Sequence, residues 1–280
     1  MPSLRSMTVT THLKDEETDP YISQIVHYDQ QGLEVAHYEF RGPDEFESKT
    51  ETRYVCQGRV VEQTTYQNEQ EILERKVFTR DEAGRVTRVD ISYPDGSLSV
   101  QTIERDEETR TENWIEKDED GELESREFLK YDEKGQITLR EWYDYRDKLT
   151  EAYEYQYDEA GNLILRRHLD ERRKLIVVTD FQYNEAGLLV LRANRNRRGE
   201  LSDYLKMEYN EKGQPIKHSF SGKYTMLFEY DEQGNVAVEE QYQGSELQNR
   251  ITYEYNNLNR VLIEDQATLI KTYAYVDYDN

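Results

Sequence analysis

The side chains that most often carry enzyme chemistry are few in this chain, and they are not spaced as catalytic groups. The single cysteine, Cys56, precedes a turn glycine with no base beside it, which favours a structural thiol over a nucleophile. No two histidines stand three or four residues apart, the spacing at which a helix presents two metal ligands. The histidines are His12, His27, His37, His168 and His218. We therefore predict a protein that is not an enzyme, with no catalytic residue, no metal site and no cofactor.

The charge of the chain excludes two classes of partner. Asp and Glu supply 59 residues and Lys and Arg 36, so the net charge is −23. Such a chain repels phosphate backbones and anionic membrane surfaces. Pairs of carboxylates are too common here to indicate acid–base chemistry. We expect neither nucleic acid nor membrane as a partner.

The compartment is predicted from what the sequence lacks. One cysteine cannot form an intrachain disulfide, which fits a reducing environment. The N-terminal residues contain no apolar run of signal-peptide length, and no stretch approaches the roughly 18 apolar residues of a membrane span. These features favour a cytoplasmic protein.

A short motif of the form Tyr-Asp-x-x-Gly recurs along the chain, mostly at intervals of 26 residues. Asp or Asn can bond the backbone two residues on, and glycine accepts the positive φ that closes such a turn. Two further copies place Thr109 and Asn259 at the glycine position, which makes ten copies. The predicted turn residues are Gly32, Gly58, Gly84, Gly135, Gly161, Gly187, Gly213, Gly234 and Asn259.

Apolar and polar residues alternate on both sides of each turn, as in "AYEYQYDEAGNLILRR". Period-two alternation with many Tyr, Val, Ile and Thr indicates paired, half-buried strands. A second, looser set of turns lies midway between the first, so the chain reverses about every 13 residues and leaves strands of roughly 8–9. We predict an all-β fold: a long antiparallel β-meander of roughly twenty strands in ten repeats of about 26 residues.

The tyrosine-bearing face must be hidden, and large open sheets seldom stay flat. We therefore expect a curled or spiral single sheet over residues 21–280. Residues 1–20 lie outside the repeat and are predicted to form a cap strand or a disordered segment.

The unit, seen as "YDEKGQI", "YDEAGNL" and "YDEQGNV", resembles the YD repeat of RHS-type bacterial proteins over about residues 28–280. The resemblance implies a bacterial protein whose repeats build curled β-sheet shells that enclose toxin payloads or bind partners and glycans. The period of 26 is longer than that family's usual one, and neither a self-cleaving core segment nor a C-terminal payload is present. A vaguer resemblance is to MORN-like repeats associated with antitoxins.

Charge placement supplies the candidate partner-binding residues. Turns with the Tyr-Asp motif are acidic, whereas the alternate turns of the second half are basic, so stacked turns should give one acidic and one basic rim. The basic candidates are Arg146, Lys148, Arg172, Arg173, Lys174, Arg195, Arg197 and Arg198. Trp114 marks the degenerate copy, and Tyr273 and Tyr275 lie on a last strand that should offer an unpaired edge.

The most favoured function is protein binding or scaffolding through the curled, tyrosine-rich sheet and its charged rims, with a protein partner or self-association through the sheet edge. One alternative is an immunity protein or antitoxin that neutralises a cationic toxin. A further alternative is a glycan-binding module that uses exposed tyrosines.

Overall fold

The computed structural model describes residues 3–14, 18–43 and 45–278. Residues 1–2 and 15–17 of the predicted N-terminal segment, and residues 44 and 279–280 of the predicted repeat, lie outside that description. The chain forms two compact units. The first comprises Met1–Leu98, Glu229–Glu239 and Asn249–Asn280, and the second comprises Ser99–Phe228 and Glu240–Gln248.

The described residues are almost entirely strand. One 3-10 turn, Cys56–Gly58, lies between two of the strands. No helix in the described ranges is long and apolar enough to cross a membrane. The strands are β1 Leu4–Leu13, β2 Tyr21–Tyr28, β3 Glu34–Gly42, β4 Glu45–Val55, β5 Arg59–Tyr66, β6 Ile72–Arg80, β7 Val86–Ser92, β8 Leu98–Asp106, β9 Thr111–Asp118, β10 Leu123–Tyr131, β11 Ile137–Tyr143, β12 Leu149–Tyr157, β13 Leu163–Leu169, β14 Leu175–Tyr183, β15 Leu189–Asn196, β16 Leu201–Tyr209, β17 Pro215–Phe220, β18 Tyr224–Tyr230, β19 Val236–Gln243, β20 Glu246–Tyr255, β21 Val261–Asp265 and β22 Leu269–Asp277.

Strand pairing follows chain order and is antiparallel. In the second unit each strand from β8 to β18 pairs with the next one along the chain. In the first unit the same holds from β1 to β7 and from β20 to β22. All 22 described strands belong to one sheet. The predicted all-β antiparallel meander is confirmed.

The prediction of an open sheet is wrong, because the first described strand pairs with the last. β1 lies antiparallel to β22, with Val9 opposite Tyr273 and Met7 opposite Tyr275. The sheet therefore closes through its terminal strands and is not an open curl or spiral. The edge predicted for self-association is occupied by β1. The repeat pattern could not show this, since β1 carries no copy of the motif.

The Tyr-Asp turns have the predicted geometry except at Gly58, where Gln57 as well as the glycine takes a positive φ. The turn residues with the predicted geometry are Gly32, Gly84, Gly135, Gly161, Gly187, Gly213, Gly234 and Asn259. In the turn after β12, the Gly161 amide donates to the Asp158 carbonyl at 3.1 Å, and the Asn162 amide donates to Asp158 Oδ1 at 2.8 Å. Gly161 has φ 92°. A bulge follows, because Gln156 lies opposite Leu165 whereas Tyr157 lies opposite Leu163. We call these the YD turns.

The alternate turns are called the second turns below, and those after β7, β9, β11, β13 and β15 have the same backbone form as the YD turns. The turn after β17 differs, because Ser221 and Gly222 both have positive φ. In the turn after β13, the Arg173 amide donates to the Asp170 carbonyl at 2.8 Å, and the Lys174 amide donates to Asp170 Oδ1 at 2.8 Å. Arg173 takes the glycine position with φ 57°, as Asp147 does one repeat earlier with φ 54°. The looser sequence pattern of these turns hid a geometry as regular as that of the YD turns.

The degenerate copy departs from its predicted alignment. Thr109 was expected at the positive-φ position, but Arg110 occupies it with φ 55°. A β-branched residue is disfavoured there. One extra residue moves the bend past Thr109, whose amide instead donates to Asp106 Oδ1 at 3.1 Å.

The buried residues lie on both faces of the sheet. In the second unit, Ala152 and Ala193 are 0% and 4% exposed on one face, and Thr179 is 1% exposed on the other. The face with Thr179 also carries Tyr153, Tyr155 and Trp142, as the strand registers place them. We call it the tyrosine face. The buried layer is thin, as the charged composition predicts.

Candidate partner-binding surface

A ladder of phenol groups ties the YD turns to their neighbours. In five repeats, the tyrosine that precedes the turn donates its hydroxyl to the main-chain carbonyl two residues after the turn residue of the previous repeat. Burial raises the pKa of Tyr157, Tyr183 and Tyr209, so these phenols stay protonated donors. The bonds measure 2.6–2.9 Å, and the pairs are Tyr54–Glu34, Tyr157–Ile137, Tyr183–Leu163, Tyr209–Leu189 and Tyr255–Val236.

One repeat replaces the phenol with a guanidinium. Arg80 stands at the tyrosine position before Gly84, and its Nη2 donates to the Val60 carbonyl at 3.0 Å. The acceptor has the same place in the repeat as the acceptors of the tyrosines. This position therefore requires a long side chain with a hydrogen-bond donor at its end. The requirement cannot be read from the sequence motif, in which the position is usually aromatic.

The eight predicted cations lie at or beside three second turns of the second unit. These turns join β11 to β12, β13 to β14 and β15 to β16. Alternate turns of an antiparallel meander share one end of the strands, so the three turns form one rim of this unit. We call residues 144–148, 170–174 and 195–200 the basic rim.

Four of these cations are engaged within the chain. Arg173 contacts Glu141, a carboxylate that is almost fully buried. Arg195 Nε lies 3.0 Å from Asp180 Oδ2. Arg172 lies 3.6 Å from the neighbouring Glu171, and Arg146 lies over the Tyr145 ring at 4.8 Å. Arg173 and Arg195 thus have a structural role in addition to any role at the surface.

The other four cations point to solvent. Arg197 and Arg198 make no side-chain hydrogen bond or ion pair with any other described residue. The pKa values of Asp144 and Asp170 are lowered first by hydrogen bonds from the backbone amides of their turns. The positive charges of Lys148 and Lys174 add a smaller effect in the same direction. A cleft of about 440 Å³ opens between two of these turns, and Ile176 in it is 40% exposed. Its lining is Asp170, Lys174, Leu175, Ile176, Asn196, Arg197 and Arg198.

The YD turns of the second unit form the opposite rim, and its cleft has the opposite character. This cleft, of about 560 Å³, lies between the turns after β10 and β12. Its charged residues are Asp132, Glu133, Lys134 and Asp158. An exposed isoleucine, Ile164, is present here too, at 38%. Each cleft therefore contains one exposed isoleucine, and the two clefts differ in charge.

The remaining three candidates make internal contacts. Trp114 lies in β9 and donates its indole N–H to Glu112 at 3.0 Å. Tyr273 donates its hydroxyl to Glu264 at 2.8 Å, and Tyr275 donates to the Val261 carbonyl at 2.7 Å. The structure does not bring these three residues to the basic rim.

A further cleft went unnoticed in the sequence. It has a volume of about 380 Å³ and no charged residue in its lining, although 34% of the chain is charged. Nothing in the repeat pattern marks these residues, because they come from four strands, β17 to β20. The lining is Phe220, Tyr224, Thr225, Met226, Gln241, Tyr242, Gln243 and Gln248.

No three His, Cys, Asp or Glu side chains converge as a metal site within the described residues. The side chain of Cys56 lies outside the description. The described surface that most resembles a binding site is therefore the basic rim with its cleft.

An antiparallel repeat sheet whose turns begin with Asp or Asn and are joined by a tyrosine ladder defines a YD-repeat protein. The chain belongs to the Teneurin YD-shell family, whose model matches residues 54–275. The resemblance read from the "YDEAGNL" motif is thereby confirmed. Family membership makes this chain a shell or scaffold repeat protein.

Solved structures with similar chain traces include crystal structures of TcdB2–TccC3. Two of them match with TM-scores of 0.45 and 0.46 at 11% identity, and they cover 88% of this chain. The chain spans only 15% and 16% of the length of those two chains. A porin-like protein from Bacteroides uniformis matches at 9% identity with a TM-score of 0.37, covering 98% of each chain. No curated protein sequence matches the chain.

Proposed function

We propose that this chain is a non-enzymatic scaffold that holds a protein partner by an acidic segment bound along the basic rim of its second unit. The observation that carries this proposal is the cleft with Lys174, Arg197 and Arg198 around an exposed Ile176. Guanidinium groups without internal partners bind carboxylates in a bidentate manner.

The proposal agrees with how the chain distributes its charge. A net charge of −23 slows the approach of any acidic partner at long range. An acidic segment can then bind only where the local field is reversed, and the basic rim supplies such a place. The rim therefore gives specificity of position, and Ile176 adds apolar area to the contact.

A photo-crosslinking pair tests this proposal in the cells that produce the protein. A benzophenone amino acid replaces Ile176 in the basic cleft, and in a matched protein it replaces Ile164 in the acidic cleft; the two isoleucines are almost equally exposed. We expect one discrete protein adduct from position 176, joined through an acidic segment of the partner. The adduct should weaken with added salt, because surface charge contacts are screened.

The matched position and a charge variant decide the outcome. Equal adducts from both positions would indicate non-specific capture and contradict the proposal. An adduct at position 176 that survives in the Arg197→Gln, Arg198→Gln double variant would show that the rim cations do not hold the partner.

The uncharged cleft supports a second candidate function, binding of a neutral saccharide. Three glutamine amides, a threonine hydroxyl and the aromatic rings of Phe220, Tyr224 and Tyr242 line it. Such a mixture of amides and aromatic rings suits a ligand that hydrogen-bonds with one edge and stacks with the other.

Calorimetry with a panel of neutral oligosaccharides tests the second candidate. Tyr224→Ala should abolish the binding heat, because this ring is 52% exposed in the cleft. Tyr145→Ala is the matched control, since Tyr145 is 59% exposed and lies outside the cleft. An equal loss in both variants, or no heat with any sugar of the panel, would contradict this function.

A further inference from the structure

Three arginines occupy the same position in three successive repeats of the second unit. Arg140, Arg166 and Arg192 each stand five residues after a turn glycine, 26 residues apart. They lie in β11, β13 and β15. We call them the arginine column, and none of them belongs to the basic rim.

Strand register places the whole column on the tyrosine face. Arg140 lies opposite Tyr153, and Arg166 lies opposite both Tyr155 and Thr179. Directly opposite residues share a face, and so do residues two apart in a strand. Arg192 lies two residues from Asn194, which is opposite Thr179. It therefore shares that face with Arg166.

The column has fewer counter-charges than cations. Arg140 pairs with Glu127. Arg166 reaches only the Thr179 hydroxyl, at 3.4 Å, and lies over the Tyr153 ring at 5.5 Å. Arg192 makes no hydrogen bond or ion pair with any other described residue.

The stems of the two unpaired arginines are held in place. The Nε atoms of Arg166 and Arg192 are buried and have no hydrogen-bond partner. Arg192 lies between Phe181 and Leu205 on the neighbouring strands. A half-buried guanidinium without a carboxylate is costly, and such a group usually awaits an ion or ligand.

The spacing of the two arginines indicates which kind of anion fits them. They are two strands apart, and the register displaces them by two residues along the strand, which puts their Cα atoms roughly 12 Å apart. In an extended peptide, side chains four residues apart share one side and lie about 13 Å apart. The Cα span of the two arginines therefore matches the distance between same-side residues of an extended peptide.

We propose that Arg166 and Arg192 form an anion-binding site on the tyrosine face, which takes two carboxylates four residues apart in an extended acidic peptide. Each guanidinium binds one carboxylate through its two parallel N–H groups. Tyr153, Phe181 and Leu205 provide apolar contact for the peptide between the two charges. The site is separate from the basic rim, and neither proposal depends on the other.

Two fluorescent peptides of equal composition test the site by anisotropy. In Gly-Ser-Glu-Gly-Ser-Gly-Glu-Gly-Ser the glutamates have the proposed spacing, and in Gly-Ser-Gly-Glu-Glu-Gly-Ser-Gly-Ser they are adjacent. We expect the spaced peptide to bind at least about tenfold more tightly, since only it can reach both arginines. Arg166→Gln and Arg192→Gln should each weaken it by about tenfold or more, whereas Arg198→Gln in the basic rim should not.

Three results would overturn the proposal. They are equal affinity for the two peptides, binding that survives in both column variants, and no binding at all. Inorganic phosphate serves as the competing probe. If phosphate binds as tightly as the spaced peptide and is lost in the same variants, the site takes small oxyanions and the peptide assignment is wrong.

Stability gives a readout that does not need a ligand. Because Arg192 has no hydrogen-bond or ion-pair partner among the described residues, Arg192→Met removes a half-buried charge and keeps an apolar side chain between Phe181 and Leu205. Its urea midpoint should equal or exceed that of the unaltered protein. A lower midpoint would show that Arg192 already has a structural partner, which would contradict the assignment.

Discussion

The two rims of the second unit use one backbone turn and display opposite charge. In the YD turn after β12 the bend residues are Glu159 and Ala160, and in the second turn after β15 they are Arg197 and Arg198. Both turns begin with a side-chain oxygen that accepts amide bonds, and both end in a residue of positive φ. The side chains of the bend residues take no part in this geometry, although the Arg198 amide donates to Asn196 Oδ1 at 2.9 Å. The repeat therefore fixes the shape of its turns and leaves their charge free to serve binding.

The rims also differ in the hydrogen bonds that their tyrosines make. The YD rim has the tyrosine ladder, in which each phenol joins one turn to the strand that follows the previous turn. The phenol beside a second turn, that of Tyr143, instead donates to a side chain, Glu141 Oε2, at 2.8 Å. Substitutions that weaken the fold should therefore concentrate at the YD rim, and substitutions that weaken binding should concentrate at the basic rim.

The largest effect on stability is expected from a substitution that disrupts the turn geometry shared by the two rims. Gly187 has φ 76° with open space around its missing Cβ, so backbone strain is the only obstacle to a side chain there. Gly187→Val should lower the free energy of unfolding by about 1–3 kcal/mol, because a β-branched residue resists this conformation. Urea denaturation followed by circular dichroism measures the change.

Asn at the same position is the matched control. The chain already uses Asn259 with φ 58° at the equivalent place. Gly187→Asn should cost less than half as much as the valine. If the two substitutions cost the same, the positive φ would not be what glycine supplies.

Removal of one rung of the ladder has the next largest effect. Tyr183→Phe deletes the hydroxyl that donates to the Leu163 carbonyl at 2.9 Å and keeps the ring. We expect a loss of about 1 kcal/mol in the free energy of unfolding. Tyr145→Phe, at an exposed ring of the opposite rim, should be neutral by the same measurement. Comparable losses in the two variants would remove the distinction between the rims.

The smallest expected effect is on the stability of the fold at acidic pH. Hydrogen bonds from the Asn162 side chain and backbone lower the pKa of Asp158 below its ordinary 3.8. Because the pKa of Asp158 is lower in the folded state, its ionised carboxylate stabilises the fold at any pH above the ordinary pKa. This stabilisation is lost as the pH falls through the lowered, folded-state pKa. Asp158→Asn should keep the turn at neutral pH, as Asn184 and Asn210 do in the neighbouring repeats.

A pH series of urea midpoints checks this expectation. The variant should lose less stability than the unaltered protein as the pH falls below 3.8. A variant that already loses stability at neutral pH would show that the charge, and not the oxygen acceptor, holds the turn.

Much of the fold follows from residue types whose physical role is local. The alternation in "AYEYQY" and the Asp-x-x-Gly bends predict antiparallel hairpins, because strand period and turn chemistry act over a few residues. Closure through β1 could not be predicted in this way. It depends on the pairing of Val9 with Tyr273, and nothing local to either residue indicates the other.

The binding surfaces were predictable only where charge and turn coincide. The cations of 146–148, 172–174 and 195–198 stand in obvious bends, so their place on one rim followed from the repeat. Arg166 and Arg192 lie within strands, and their place on one face without a carboxylate partner emerges only when the structure is known. The 26-residue interval that links Arg140, Arg166 and Arg192 is the signal of this column in the sequence.

One exchange of bend residues tests most directly whether shape and charge are separable. Arg197→Glu with Arg198→Ala converts the second turn "NRRG" into "NEAG", which is the sequence of the YD turn at 184–187. The measurement is the yield of the photo-crosslinked adduct from position 176, taken together with the urea midpoint. We predict that the adduct is lost and that the midpoint is unchanged. An adduct that persists, or a midpoint that falls with the exchange, would contradict the account.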